Sequence, residues 1–242
     1  MQRLTLTPCA DGNTNTADSQ EIIFDSAGHT SHAEAQRLLS KGFKLVPLLP
    51  LSKRPEGDGW NLHFATTIDP NAGGYGMHLP SNGLGSLDPD NLEPAREGLK
   101  RCGFDLEMLM DNGVRTSSTR PGSGGRSTFR LPAELADKLR WIKFVSKSLG
   151  VFLELRAHSP NLQDSLPGTV YRTAKGEGPY RQDYCNGRTF DEAPEMPPDL
   201  RAWWLRMSVD EGYRRAQQLL FCGPNAVLAV SSEDAYSGER DR

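Results

Sequence analysis

Apolar and polar positions along this chain change period several times, and the changes divide it into elements. From Ser31 to about Lys41, Ala35, Leu38 and Leu39 recur at helical spacing and Gly42 follows as a C-terminal cap, which predicts a helix. Ser31 and Glu34 have the spacing of a capping box, so His29 and His32 read as a helix start rather than a metal pair. Phe43–Leu49 reads as a strand that Pro47 confines to an edge. Leu84–Leu87, Val114–Ser118, Arg126–Leu131, Val151–Arg156 and Gly168–Arg172 are further strands, the last followed by a hairpin-like turn, KGEGPY. Asn91–Cys102 carries Leu92, Ala95 and Leu99 at helical spacing, and Ala133–Leu139 suggests a short helix. Pro197 and Pro198 open a helix whose one side bears Leu200, Trp203, Trp204 and Met207, and helical patterning continues to about Phe221. Strands and helices alternate irregularly, without an internal repeat. That is the pattern of an α+β or mixed α/β domain around a central sheet.

The 242 residues can bury a core without staples. Residues 1–28 are polar and read as a flexible lead, 29–208 as the main domain, 209–230 as a helical extension, and 231–242 as a tail or linker. The four cysteines are dispersed and form no CxxC pair, which argues against zinc or a disulfide framework. Neither a secretory h-region nor an apolar run of about 18 residues is present, so the expected location is cytoplasmic.

Net charge is −3, which excludes a protein coated in basic residues. The charge is unevenly placed. Between Gly113 and Arg188 stand 13 Lys and Arg against 6 Asp and Glu, whereas the rest of the chain has 15 against 25. One basic face for a polyanion is compatible with that distribution.

Three stretches carry candidate chemistry. In NGLGSLDPDN, Asp88 and Asp90 end a short strand, where residues two apart share a face. Asp, Pro and Asn also make turns, so this stretch alone supports either reading. STRPGSGGRSTFR joins two strands by a glycine-rich loop whose amides could converge on an anion, with hydroxyls at Ser123 and Ser127 and a forked cation at Arg126. Its spacing and its lack of lysine exclude a Walker A loop. In VFLELR, alternation puts Val151, Leu153 and Leu155 on one face and Phe152, Glu154 and Arg156 on the other. Glu154 is then either half of an exposed Glu–Arg pair or a third carboxylate beside Asp88 and Asp90. Three carboxylates at one place call for divalent cations, and Mg²⁺ shares oxygen ligands with nucleotide phosphates.

Taken in order, these motifs resemble the bifunctional DNA primase/polymerase domain of the archaeo-eukaryotic primase superfamily, found in phages, plasmids and integrated elements. The resemblance runs from about Glu34 to Trp204. It rests on GFKLVPLLPLSKRPEGDGW after a helix, Asp88-Pro89-Asp90, the SGGRS loop followed by TFRLP, Glu154 in LELR, and DSLPGTVYRTAKGEGPYR. The resemblance implies an α+β primase–polymerase fold: a mixed, mostly antiparallel catalytic sheet with packed helices and a smaller α/β subdomain. It implies template-directed nucleotidyl transfer on single-stranded DNA, with Mg²⁺ or Mn²⁺ at Asp88, Asp90 and Glu154. The incoming nucleoside triphosphate would lie on Ser123, Gly124, Gly125, Arg126 and Ser127. Arg140, Lys143 and Lys147, beside Trp141 and Phe144, are candidate template contacts, with Lys53 and Arg54 as further cations. A replicative helicase on another chain or region is an implied partner.

The sequence departs from the family pattern at Ser127, where many members have His, and at Tyr171, where His often follows. The rival readings are a primase fold that only binds single-stranded DNA or an origin, and a metal-dependent nuclease. The nuclease would not need the triphosphate loop.

Overall fold

The computed structural model describes residues 30–148 and 150–228. The expected flexible lead, His29 and the expected tail lie outside the described residues. Chain order is α1 (Ser31–Ser40), β1 (Leu45–Leu48), β2 (Gly74–His78), β3 (Leu84–Asp88), α2 (Leu92–Arg101), α3 (Leu106–Asn112), β4 (Val114–Ser118), β5 (Arg126–Arg130), β6 (Ile142–Ser146) and β7 (Gly150–Arg156). There follow β8 (Gln163–Ser165), β9 (Val170–Tyr171), β10 (Tyr180–Tyr184), α4 (Pro198–Val209), α5 (Glu211–Cys222) and β11 (Ala226–Val227). Among the described residues the strands form two antiparallel sheets. The small one runs β1-β2-β8 and the large one β11-β6-β7-β3-β5-β4-β10-β9. The protein is therefore α+β, as its pattern suggests.

The large sheet has two unlike faces. Leu87, Leu153, Leu155, Phe129 and Phe144 point to one side and pack with α2 to α5 around Trp203, Trp204 and Phe221. Fully burying each such side chain contributes roughly 1.5–3 kcal/mol. The opposite face carries Ser86, Asp88, Thr128 and Arg156, all buried. Part of that face is covered by the small sheet and α1, where Leu84 and Val114 join Leu38, Tyr75, Met77 and Phe190 in a second core. The rest remains open and holds the cleft described below.

Several local expectations change. The cap of α1 is Thr30, whose hydroxyl accepts from the Ala33 amide at 3.2 Å. Ser31 instead accepts from the Tyr75 amide at 2.9 Å, and Glu34 takes both Arg37 and the Tyr184 hydroxyl, so neither forms a capping box. Gly42 does end the helix: at φ +84° it lets the Phe43 amide reach the Leu38 carbonyl at 3.1 Å. Ala133–Leu139 is a set of overlapping turns rather than a helix, because the Leu135 and Ala136 amides both return to the Pro132 carbonyl. The extension after residue 208 is not an appendage. Phe221 of α5 is fully buried against Phe144, with their ring centroids 4.2 Å apart. A register shift between Phe144 and Val145 breaks the alternation of β7. Phe152 consequently joins the helix-side core instead of sharing a face with Glu154.

Candidate nucleotide-binding cleft

Strand register brings the first two carboxylates together. Asp88 is the last residue of β3 and lies directly opposite Glu154 of β7. Residues opposed in an antiparallel pair project to the same face, so the two carboxylates share the polar side of the large sheet. Asp90 follows in the bend after β3 and lines the cleft with Asp88. Glu154 accepts from the Trp141 indole at 3.0 Å and from Lys143, also at 3.0 Å. Asp88 accepts from Arg126 Nε at 2.5 Å and has Arg156 at 3.7 Å.

The glycine loop is pressed against the Asp-Pro-Asp bend. A Cβ on Gly124 would lie 2.5 Å from the Pro89 carbonyl and 2.9 Å from the Leu92 side chain, so only glycine fits. Gly125 has φ +73° and would meet the Thr116 carbonyl. Among the described residues no acceptor takes the amides of Gly124 and Gly125. Lys53, Arg120 and Arg126 line the same cleft, with Ser123, Tyr171 and Gln182. Lys53 reaches it from the loop after β1, its ammonium 3.9 Å from the Tyr171 ring centre and 3.3 Å from Gln182 Oε1. Carboxylates, cations and open amides thus line one cleft side by side. The cleft is open and measures about 120 Å³. That is well below the roughly 300–1,000 Å³ that encloses a drug-sized ligand, so it suits a phosphate chain with the rest of the ligand outside.

Electrostatics record the crowding. Desolvation pushes the Asp90 carboxyl up to about 7, with Asp88 and Glu154 adding repulsion, although its outer side is exposed. Desolvation also pushes the Lys53 ammonium down to about 7, with Arg126 adding to it. Burial alone would lower the Arg126 guanidinium, but Asp88 and Asp164 outweigh it and hold Arg126 firmly charged. Burial would likewise raise Asp164, and Arg156 and Arg126 reverse that effect.

The sequence candidates separate here. Asp88, Asp90, Ser123, Gly124, Gly125, Arg126 and Lys53 line the cleft. Ser127 does not: it is fully buried on the other face of β5, where its hydroxyl donates to the Leu109 and Met110 carbonyls. Strand alternation after Arg126 dictates that position. Arg54 is exposed and outside the lining residues. Lys143 is tied to Glu154 and lies 4.5 Å over the Trp141 ring, and Phe144 is core. Arg140 and Lys147 are exposed and do not line the cleft. Sequence reasoning missed Arg120, which adjoins the glycine loop and could have been read with it. It also missed Asp164, a single acidic residue in a three-residue strand, which no periodicity marks.

A divalent cation, which the family resemblance implies, can be tested against these residues. Among the described residues no three acidic, histidine or cysteine side chains converge closely enough to hold a metal by themselves. Asp88 and Asp90 nonetheless line the cleft together, and the Asp90 carboxyl is raised chiefly by desolvation and secondly by repulsion from Asp88 and Glu154. Mg²⁺ is ordinarily held by one or two carboxylates together with substrate phosphates rather than by an all-protein cage. Asp88 and Asp90 would be the ligands of such a shared site; Glu154, expected as a third ligand, is not among the residues that line the cleft. No described helix is long and apolar enough to cross a membrane. Compared with protein-family models and with curated protein sequences, the chain matches none.

Proposed function

We propose that the protein is a template-directed nucleotidyltransferase, a DNA primase/polymerase acting on single-stranded DNA in the replication of a phage, plasmid or integrated element. One observation carries this reading. Asp88 and Asp90 line one cleft together with Lys53, Arg120, Arg126 and the Gly124–Gly125 stretch. A nuclease needs the carboxylates only.

In this reading the phosphate chain of the incoming nucleotide lies on the cations and amides. Arg126 and Arg120 offer forked donors, Lys53 a point charge, and the glycine amides fixed dipoles. The oxygen of a 3′-hydroxyl bonds to the α-phosphorus while its proton passes to solvent, and the bond from that phosphorus to the pyrophosphate oxygen breaks. Mg²⁺ or Mn²⁺ on Asp88 and Asp90, when bound, would stabilise charge on the attacking and leaving oxygens. Trp141 and Lys143 hold Glu154 in a fixed orientation next to Asp88. Lys53 regains its proton when an anion replaces lost water around it, which couples its charge to occupancy.

A second reading has its own support. Asp88 and Glu154 are both already paired with cations, as expected of a primase fold that binds single-stranded DNA without chemistry. Incorporation of labelled nucleotides on single-stranded DNA with Mg²⁺ or Mn²⁺ separates the two. Template-dependent products from the wild type and none from Asp88→Asn support the polymerase. DNA binding with no product from either protein favours the binding module.

A further inference from the structure

Arg126 and Arg156 stand between carboxylates from both sheets. Arg126 donates from Nε to Asp88 at 2.5 Å and from its Nη1 nitrogen to Asp164 Oδ1 at 2.9 Å. Arg156 donates to the same Asp164 oxygen and to the Gln163 carbonyl. Asp164 is 1% exposed and belongs to β8 of the small sheet, whereas Asp88 ends a strand of the large one. Asp164 is thus a buried, doubly paired anchor. The other side of Arg126 is different: it lines the cleft together with Asp88 and Asp90, and its Nε takes Oδ2 of Asp88, one of that carboxylate's two oxygens.

We propose that Arg126 exchanges partners, staying anchored on Asp164 while its Nε side leaves Asp88 for the triphosphate when Asp88 takes a divalent cation. Asp164 is then the positioning residue of the site. This inference rests on the triphosphate reading of the cleft. Its physical content is competition: without metal, a polyphosphate must draw Arg126 away from Asp88, so the two anions contend for one guanidinium. Cation and triphosphate consequently assist each other through Arg126 as well as through direct contact. The planar fork of arginine permits the exchange, because one end can hold while the other turns. A lysine ammonium has no second end.

The test is the affinity of inorganic tripolyphosphate, measured calorimetrically in metal-free buffer, across a double-mutant cycle of wild type, Asp88→Asn, Arg126→Gln and the double variant. Asp88→Asn is expected to tighten tripolyphosphate on the order of tenfold in the wild-type background and less than about twofold in the Arg126→Gln background. Equal tightening in both backgrounds would reduce the effect to simple removal of a negative charge and overturn the exchange. Failure of every variant to bind tripolyphosphate, with or without Mg²⁺, would instead overturn the triphosphate reading itself. Asp164→Asn, checked for a cooperative thermal transition, is expected to weaken tripolyphosphate about as much as Arg126→Gln does. Unchanged affinity in a folded Asp164→Asn protein would remove Asp164 from the role, and the four-protein cycle stands without that variant.

Discussion

Asp88 and Glu154 are direct partners across β3 and β7. The shortest ion pair of each is to a different cation, Arg126 for Asp88 and Lys143 for Glu154, while Arg156 lies 3.7 Å from the first and 3.8 Å from the second. The two can therefore be separated by mutation. Glu154→Gln keeps an acceptor for the Trp141 indole and loses the ion pairs to Lys143 and Arg156 at a largely buried position. Its stability is expected to fall by about 1–3 kcal/mol. Nucleotide incorporation is expected to fall by at least about a hundredfold, because the carboxylate beside Asp88 is lost. Paired thermal unfolding and single-turnover kinetics check both numbers.

Gly124 lets the glycine loop pack directly against the Asp88-Pro89-Asp90 bend. A methyl group there collides with the Pro89 carbonyl, which is backbone and cannot swing aside. Gly124→Ala is expected to cost about 1–3 kcal/mol of stability as the loop is displaced. The KM for nucleotide is expected to rise more than kcat falls, since the displaced amides are the proposed phosphate contacts.

Lys53 gives the cleft a pH dependence. Its ammonium is held down to about 7 by desolvation and by Arg126. Lys53 is charged below that value and progressively neutral above it, so metal-free tripolyphosphate should bind more weakly as pH rises through 7 to 8.5. The fall should reach up to about tenfold per pH unit. Ionisation of the ligand alone acts in the opposite direction. Asp90 also ionises near 7, so the comparison is made in an Asp90→Asn background: there the fall is expected to persist with Lys53 and to disappear with Lys53→Arg, which keeps its charge.

The Asp90 carboxyl is raised to about 7 in the folded protein, above the roughly 3.9 of an unfolded aspartate. Its ionisation therefore opposes folding: the penalty is absent below about pH 4, grows through 7 and is complete above it. At pH 8 without metal, Asp90→Asn is expected to unfold at a higher temperature than the wild type, and the advantage should vanish near pH 4. Saturating Mn²⁺ should reverse the order at pH 8 by stabilising the wild type, by about 3 °C or more, and not the variant.

Much of this was legible in the sequence, for identifiable reasons. β3, β5 and β7 announce themselves by apolar runs and turn signals, and they are the strands that carry Asp88, Arg126 and Glu154. β2 reads GYGMH, and its two glycines and double-sided burial hide it from both propensity and alternation. The bulge at Phe152 of β7, opposite the step from Phe144 to Val145, was equally invisible, since a register shift is a property of the paired strands and not of either alone. The cleft combines residues from the loop after β1, the bend after β3 and the loop before β5. Proximity of that kind follows only from sheet order. Resemblance placed Ser127 at the phosphates, but one step along a strand reverses the side chain, and Arg126 has the cleft-facing position.

Ser127 offers a compact check on that reversal. Its hydroxyl satisfies two carbonyls near the C-terminus of α3 in a fully buried position. Ser127→Ala is expected to cost about 1 kcal/mol with an unchanged KM for nucleotide. Ser127→His, the residue common in the resembled family, should overpack the interior and lower stability further without improving nucleotide binding.

The most direct measurement of the central claim is a crystal structure soaked with Mn²⁺ and a non-hydrolysable deoxynucleoside triphosphate, located by anomalous scattering. The expected result is manganese on Asp88 and Asp90, with the phosphate chain against Lys53, Arg120, Arg126 and the Gly124 amide. Manganese or phosphates bound elsewhere, with Arg126 still on Asp88 and the cleft empty at saturating ligand, would contradict it.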